Sequence, residues 1–389
     1  MRPRERSSSD LTSYDVIVVG LGAHGSAAAA ELARRGAKVL GLERFTRGHE
    51  MGSFVGRSRV IRTAYFEHPD YVPLLQRAWQ RWLDLEHETG ERLLFPTGGL
   101  YAGLPGSAIV EGTLRSVRAH GLAHEVLDSD QLRRRHPWLR GEGLVAIMEQ
   151  QAGYLVPERA IAAHLAVAER NGAELRFGDG ADNWYPEDDG SAINVETAAR
   201  ATFRARTVVL TAGAWLSSFL MDLALPLTVE RVPLFWYEPA RPEGLRDIPV
   251  YIVETDDGSY YGFPYLDDQG LKVARHGTGD AADPDHLQRE ARAGEDERVR
   301  RFVARYIPDG VGPLRETKIC MYTRTPDEHF IVDRHPRYPR VVFASACSGH
   351  GFKFASVMGE ILADLALDGS TALPIGFLSL SRFSAATRP

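Results

Sequence analysis

The sequence predicts a mixed α/β (α+β) fold in which a domain built on buried parallel strands is interrupted by a second, mostly antiparallel one. Three observations carry this. At 389 residues the chain exceeds the size at which one hydrophobic core stops growing. A β-branched run at residues 16–19 leads into a glycine-spaced turn and an alanine-rich helix, the pattern of a strand buried on both faces. Similar strand-to-turn-to-helix pieces recur in the middle and at the C-terminal end, whereas residues around 90–150 and 225–318 alternate strand-like runs with loops.

The first element is the most informative. In "YDVIVVGLGAHGSAAAAELARRGAKVLGLER", Gly20, Gly22 and Gly25 form G-x-G-x-x-G. A helix then runs to Arg35, Gly36 closes it, and a second strand over Lys38–Leu42 ends at Glu43. Glycines permit the tight turn and close approach to a pyrophosphate, and the helix N-terminus offers amide donors and a positive dipole. Glu43 stands about 20 residues on, where a carboxylate meets a ribose hydroxyl pair. A Rossmann-type dinucleotide site is therefore expected. The fingerprint does not choose between FAD and a nicotinamide, and Arg44 beside Glu43 could even accommodate a 2′-phosphate.

Residues 71–88 carry Leu74, Leu75, Trp79, Trp82 and Leu83 at helical spacing, and "FPTGGLYAG" reads as a strand with a glycine turn. Residues 107–135 suggest two helices. A helix over 156–175 has Pro157 in its first turn and Gly172 at its end. "TVVLTAGAW" is a second buried strand, and one charged helix is expected around 285–306. The last segment is strand, glycine turn and helix, with Phe354, Val357, Met358, Ile361, Leu362 and Leu365 on its apolar face. The nucleotide-binding domain is expected to comprise 1–88, 150–224 and 319–389, and the second domain 89–149 and 225–318.

Composition narrows the function classes. A net charge of −6 gives no clustered basic surface for nucleic acid. No run of about 18 apolar residues suggests a membrane span. Two cysteines, Cys320 and Cys347, cannot build a disulfide framework and fit a reducing compartment. The opening MRPRERSSSDLTS lacks the apolar centre of a secretory signal and reads as a loose tail, so a cytoplasmic location is expected. His and Cys residues show no close ligand spacing, so no metal site is expected, and a G-x-S-x-G elbow is missing.

The motifs "VIVVGLGAHG", "GRSRVIRTAY", "YYGFPY", "GLKVARHG", "CMYTRTPDEHFIVD" and "SGHGFKF", in this order from about Tyr14 to the C-terminus, resemble the monomeric sarcosine oxidase and N-methyltryptophan oxidase family of flavoenzymes. The resemblance implies FAD as cofactor, attached covalently to Cys320 through the 8α-methyl of its ring. It places Ser53, Gly349 and Gly351 on the cofactor side and implies a monomer acting on an amino acid with O2.

Oxidising an amine with a flavin leaves negative charge on the ring, which fixed positive charge stabilises. A substrate carboxylate also calls for a guanidinium or ammonium. By the resemblance Arg59 lies against the ring, while Arg62 and Lys353 bind the carboxylate. Three positions apart, Arg59 and Arg62 would share a helix face but point oppositely from a strand. Lys272 matches the lysine that promotes reaction with oxygen, a step in which a cation stabilises superoxide. His276 matches a residue near the substrate amine, and Tyr261 and Tyr322 match tyrosines lining the cavity. Lys318, close in sequence to Cys320, is a candidate for lowering the thiol pKa.

Two departures stand out. Phe54 and Val55 follow Gly52-Ser53 where sarcosine oxidases carry paired histidines, and Ile252 replaces a methionine of the cavity. Such changes alter discrimination by only about 1–3 kcal/mol, so N-methyltryptophan or a cyclic imino acid such as pipecolate or proline stays open as substrate. A nicotinamide-dependent reductase using Glu43 and Arg44, or a non-catalytic flavin-binding regulator, would fit the fingerprint alone.

Overall fold

The computed structural model describes residues 13–277 and 279–384. The polar opening segment expected as a tail lies, through residue 12, outside the described residues. The chain divides into two compact units. Met1–Phe54, Glu158–Leu227 and Thr323–Pro389 contribute to the first, and Val55–Pro157 with Thr228–Tyr322 form the second.

The first unit is organised by a parallel core of five strands. In spatial order these are Glu174–Phe177, Val39–Glu43, Ser13–Val19, Thr202–Leu210 and Val341–Ser345. The Val16–Val19 run pairs on one side with Val39–Leu42 and on the other with Thr207–Leu210. That double pairing places the run at the centre of the sheet, and all four side chains, which alternate between its faces, are buried, which is why every position is apolar. Antiparallel strands Ile193–Thr197, Ala181–Pro186 and Ile331–Arg334 extend the sheet. Helices Ala23–Arg34 and Ala355–Leu367 cross closely. A Cβ on Gly359 would come within 2.7 Å of the Ala27 backbone, so only glycine permits this approach.

The second unit holds a nine-stranded sheet that is antiparallel except where Gly99–Gly103 runs parallel to Val250–Thr255. A three-stranded sheet joins Arg59–Arg62 to Ala152–Leu155 and the latter to Leu94–Pro96. Packed against the large sheet is the amphipathic helix Glu297–Tyr306, which buries Val299, Phe302 and Val303.

Two sequence expectations need correction. Residues 55–88, 150–157 and 319–322, assigned by sequence to the nucleotide-binding domain, belong to the second unit; Arg59–Arg62 and Ala152–Leu155 pair antiparallel with each other and neither joins the parallel sheet. The charged helix begins at Glu297, not near 285; Gly294 takes a positive φ of 72° just before it and breaks the segment. The two helices expected over 107–135 are Ala108–His120 and Ser129–Arg135, with strand Glu125–Leu127 between them; Gly121 ends the first in the left-handed region.

Candidate active site

The first unit presents a glycine-lined helix entrance. Gly20 has φ +86°, and a Cβ there would sit 2.7 Å from the Thr211 carbonyl oxygen. On Gly25 it would meet the Gly20 carbonyl oxygen at 1.8 Å. These two glycines are demanded by the turn itself. Gly22 differs: its Cβ would meet only the Phe54 ring, at 3.8 Å. The space in front of Gly22 is thus a cradle that a side chain would fill. The helix starting at Ala23 has no side-chain cap and no acid in its first turn, so its amides and dipole are left for an anion. These residues fit a dinucleotide pyrophosphate.

Glu43 closes the second strand, buried to 6% exposure. Its Oε2 accepts the Leu21 amide at 2.8 Å and its Oε1 accepts the Phe45 amide at 3.0 Å, with His49 Nε2 at 3.6 Å. Burial opposes ionisation, but His49 and the two amides outweigh it and hold the carboxyl below its ordinary range. Arg44 stacks its guanidinium over Phe45 and Trp215. Ser53 lies in the turn after Gly52, and Phe54, the first departure from the family pattern, packs edge-on against His49 at 5.2 Å.

In the same unit Gly349, at φ +80°, and Gly351, whose Cβ would lie 1.7 Å from the Ala346 carbonyl oxygen, shape the last turn. Lys353 is buried in the short turn Phe352–Phe354 and donates to the His350 carbonyl at 2.6 Å. His24 links the two turns by donating to the Gly351 backbone carbonyl; desolvation holds its pKa down to about 4, so it is neutral near pH 7.

The second unit gathers most of the remaining predicted residues. Arg59 and Arg62 end a four-residue strand, which settles the helix-or-strand alternative and sends their side chains to opposite faces. Arg59 Nη2 lies 3.4 Å from the Cys320 sulfur and donates to the Val55 carbonyl at 2.6 Å. Cys320 is a thiol, 2% exposed, on strand Leu314–Arg324. Lys318, the cation proposed from sequence proximity, reaches Glu316 at 4.0 Å. The fixed charge at the sulfur comes from Arg59, which only the fold brings there.

Lys272 is 2% exposed and donates to the carbonyls of Gly56 at 2.6 Å and Ser58 at 2.8 Å and to Ser58 Oγ at 3.2 Å. Its ammonium lies over Phe263 at 4.8 Å and Trp236 at 5.2 Å. A buried ammonium is costly unless its donors are satisfied, and here backbone oxygens and ring faces do so. Gly56, at φ +121°, makes this possible; a Cβ there would meet Leu234 at 2.6 Å.

Tyr261 and Tyr322 are hydrogen-bonded to each other, and burial drives both phenols above their ordinary pKa. The His276 ring sits 6.0 Å from Tyr322 and 6.4 Å from Tyr261. Ile252, the second departure, packs in one apolar cluster with Tyr101, Ala64 and Tyr261.

Arg62 is 2% exposed, beneath Tyr65 at 4.1 Å and Phe66 at 4.3 Å. Its Nη2 contacts both Glu67 oxygens at 2.6 Å. The guanidinium expected to take a carboxylate thus already holds one from its own chain. Sequence reading singled out neither Glu67 nor the buried Glu149 beneath the same segment. Glu67 stands five residues after Arg62, outside any helix spacing, and Glu149 is far away in the chain. Among the described residues no group of His, Cys, Asp and Glu could hold a metal ion, and no helix is long and apolar enough to cross a membrane.

Comparison with known proteins agrees with this picture. The family model described as FAD dependent oxidoreductase matches residues 15–365. The monomeric sarcosine oxidase of Streptomyces avermitilis is 44% identical over 96% of this chain and 99% of its own length. That of Bacillus sp. (strain NS-129) is 39% identical over 95% and 97%. The N-methyl-L-tryptophan oxidase of Yersinia pestis (strain Pestoides F) is 34% identical over 95% and 99%. Among solved structures, NikD, an unusual amino acid oxidase essential for nikkomycin biosynthesis, superposes with a TM-score of 0.83 at 25% identity, covering 94% of this chain and 97% of that one.

Proposed function

Because the chain belongs to the FAD-dependent oxidoreductases, we propose that it is an amine oxidase of N-methyl amino acids, converting a sarcosine-type substrate and O2 to the amino acid, formaldehyde and hydrogen peroxide. The observation that carries this reading is the Arg59–Cys320 contact, set in a unit that also buries Arg62 and Lys272. The 44% identity to a sarcosine oxidase favours this substrate over N-methyltryptophan.

FAD would be held by Gly20, Gly22, Gly25, Glu43, Arg44, Ser53, Gly349 and Gly351, and bound there it supplies the hydride acceptor and the route to oxygen. Arg59 sets its guanidinium 3.4 Å from the Cys320 sulfur, suiting this cysteine to a thioether link to the cofactor. Arg62 takes the substrate carboxylate once Glu67 yields, and Lys353 is a carboxylate-binding candidate by its S-G-H-G-F-K motif alone. Tyr261, Tyr322 and His276 bound the space for the amine, their phenols neutral at working pH. Lys272, its charge held by fixed carbonyls, offers a preorganised cation to a developing oxygen anion at no reorganisation cost. The product and substrate are small, the active form is proposed to be a monomer, and its location the cytoplasm.

The test is acid precipitation of the purified protein. Yellow colour in the pellet, moving to the supernatant in Cys320→Ser, is expected. Colour in the wild-type supernatant refutes the covalent link, and absence of peroxide with sarcosine refutes the activity.

A further inference from the structure

Resting on the reading that Arg62 binds the substrate carboxylate, we propose that Glu149 is a positioning residue for that arginine, fixing the backbone and the aromatic ring against which its guanidinium is set. Glu149 ends strand Val145–Glu149 and is 3% exposed. Its Oε2 accepts the Ala64 amide at 2.8 Å, the Thr63 hydroxyl at 2.7 Å and, more distantly, the Thr63 amide at 3.3 Å. Its Oε1 accepts the Thr63 amide at 3.2 Å and the Tyr101 phenol. The two amides can only donate, so the site is built for an acceptor.

Two routes lead from this carboxylate to Arg62. The first runs through the backbone: Glu149 holds the Ala64 N–H, and the Ala64 carbonyl accepts from Arg62 Nη1 at 3.2 Å. The second runs through Tyr101, whose hydroxyl Glu149 holds and whose ring lies 5.7 Å from the guanidinium carbon. Burial raises the Glu149 pKa above the ordinary carboxyl range, partly offset by the hydrogen bonds from Tyr101, Thr63 and Ala64 and by the Arg62 charge. A buried carboxyl group that accepts from four donor groups, all on residues beside one arginine, is placed to aim that arginine.

The experiment uses the flavin-loaded enzyme and two substrates, sarcosine and dimethylamine, which keeps the N-methyl group and lacks the carboxylate. Glu149→Gln keeps the volume and one acceptor oxygen. It is expected to raise KM for sarcosine about tenfold with kcat within twofold, and to leave kcat/KM for dimethylamine unchanged. In an Arg62→Met background the same change is expected to add nothing. Equal losses on both substrates, or an additive effect in that background, overturn the positioning role. Should Glu149→Gln fail to fold, Tyr101→Phe severs one route alone. A roughly threefold KM rise confined to sarcosine supports the proposal, and no change overturns it. If Arg62→Met itself leaves KM for sarcosine unaltered, the carboxylate assignment fails and takes this proposal with it. A raised KM in Arg62→Met with an unaltered one in Glu149→Gln sinks the positioning role alone.

Discussion

On the proposed carboxylate role of Arg62, its ion pair with Glu67 is expected to set both stability and affinity. A buried ion pair broken on one side leaves an uncompensated charge, at a typical cost of about 3–5 kcal/mol. Glu67→Gln is therefore expected to lower Tm. The same change frees the guanidinium for an incoming carboxylate, so KM for sarcosine should fall. Thermal unfolding and steady-state kinetics check the two signs, and a KM that rises would show that Glu67 assists substrate instead of competing with it. Gly56→Ala tests the other buried cation. Its backbone conformation disfavours any side chain by about 1–3 kcal/mol, and the new Cβ would displace the carbonyl that holds Lys272. Slower reaction of the reduced enzyme with oxygen, by stopped flow, is the expected readout.

At the scale of elements, the two helices of the first unit and their glycine turns form one mechanical piece. Gly359→Leu would push Ala355–Leu367 away from Ala23–Arg34, and loss of bound FAD together with a lower Tm is expected. The turns also carry a pH signature. His24 titrates near 6.5 when unfolded and about 4 when folded, so between those values the unfolded chain binds more protons. Stability should therefore rise with pH from about 4 to 6.5 and level off above. Glu43, with a folded pKa below its usual value, contributes stability present above that usual value and lost as pH falls through the folded one. Denaturant titrations across pH 4–7 check this, and a His24→Gln variant should flatten the upper part of the curve. An unchanged slope in the variant would assign the acid sensitivity elsewhere.

For the whole molecule, the proposed covalent link makes a distinct thermodynamic prediction. In Cys320→Ser, FAD becomes an exchangeable ligand, so stability should grow with its concentration, by about 2.7 kcal/mol at a hundredfold excess over Kd. Tm should climb with added FAD in the variant and stay fixed in the wild type. Concentration dependence in both proteins would mean that the wild-type cofactor also dissociates.

The sequence by itself determined the dinucleotide turn, because strand, glycines and helix are contiguous and much of what constrains them is local: Gly20 takes a positive φ of 86° and Gly25 abuts the Gly20 carbonyl five positions before it. It determined the parallel core for the same reason, since a strand buried on both faces must be apolar throughout. The motifs also singled out Arg59, Arg62, Lys272 and Cys320 as candidates. Only the tertiary structure decided what surrounds them. Arg59 reaches the Cys320 sulfur across 261 positions, Lys272 finds the Gly56 and Ser58 carbonyls across more than 200, and Glu149 grips Thr63 and Ala64 across about 85. Such pairings arise from strand order and register, which a linear pattern does not encode. The boundary near residue 88 failed for that reason too: four residues, Arg59–Arg62, pair with Ala152–Leu155 and carry the whole segment into the second unit.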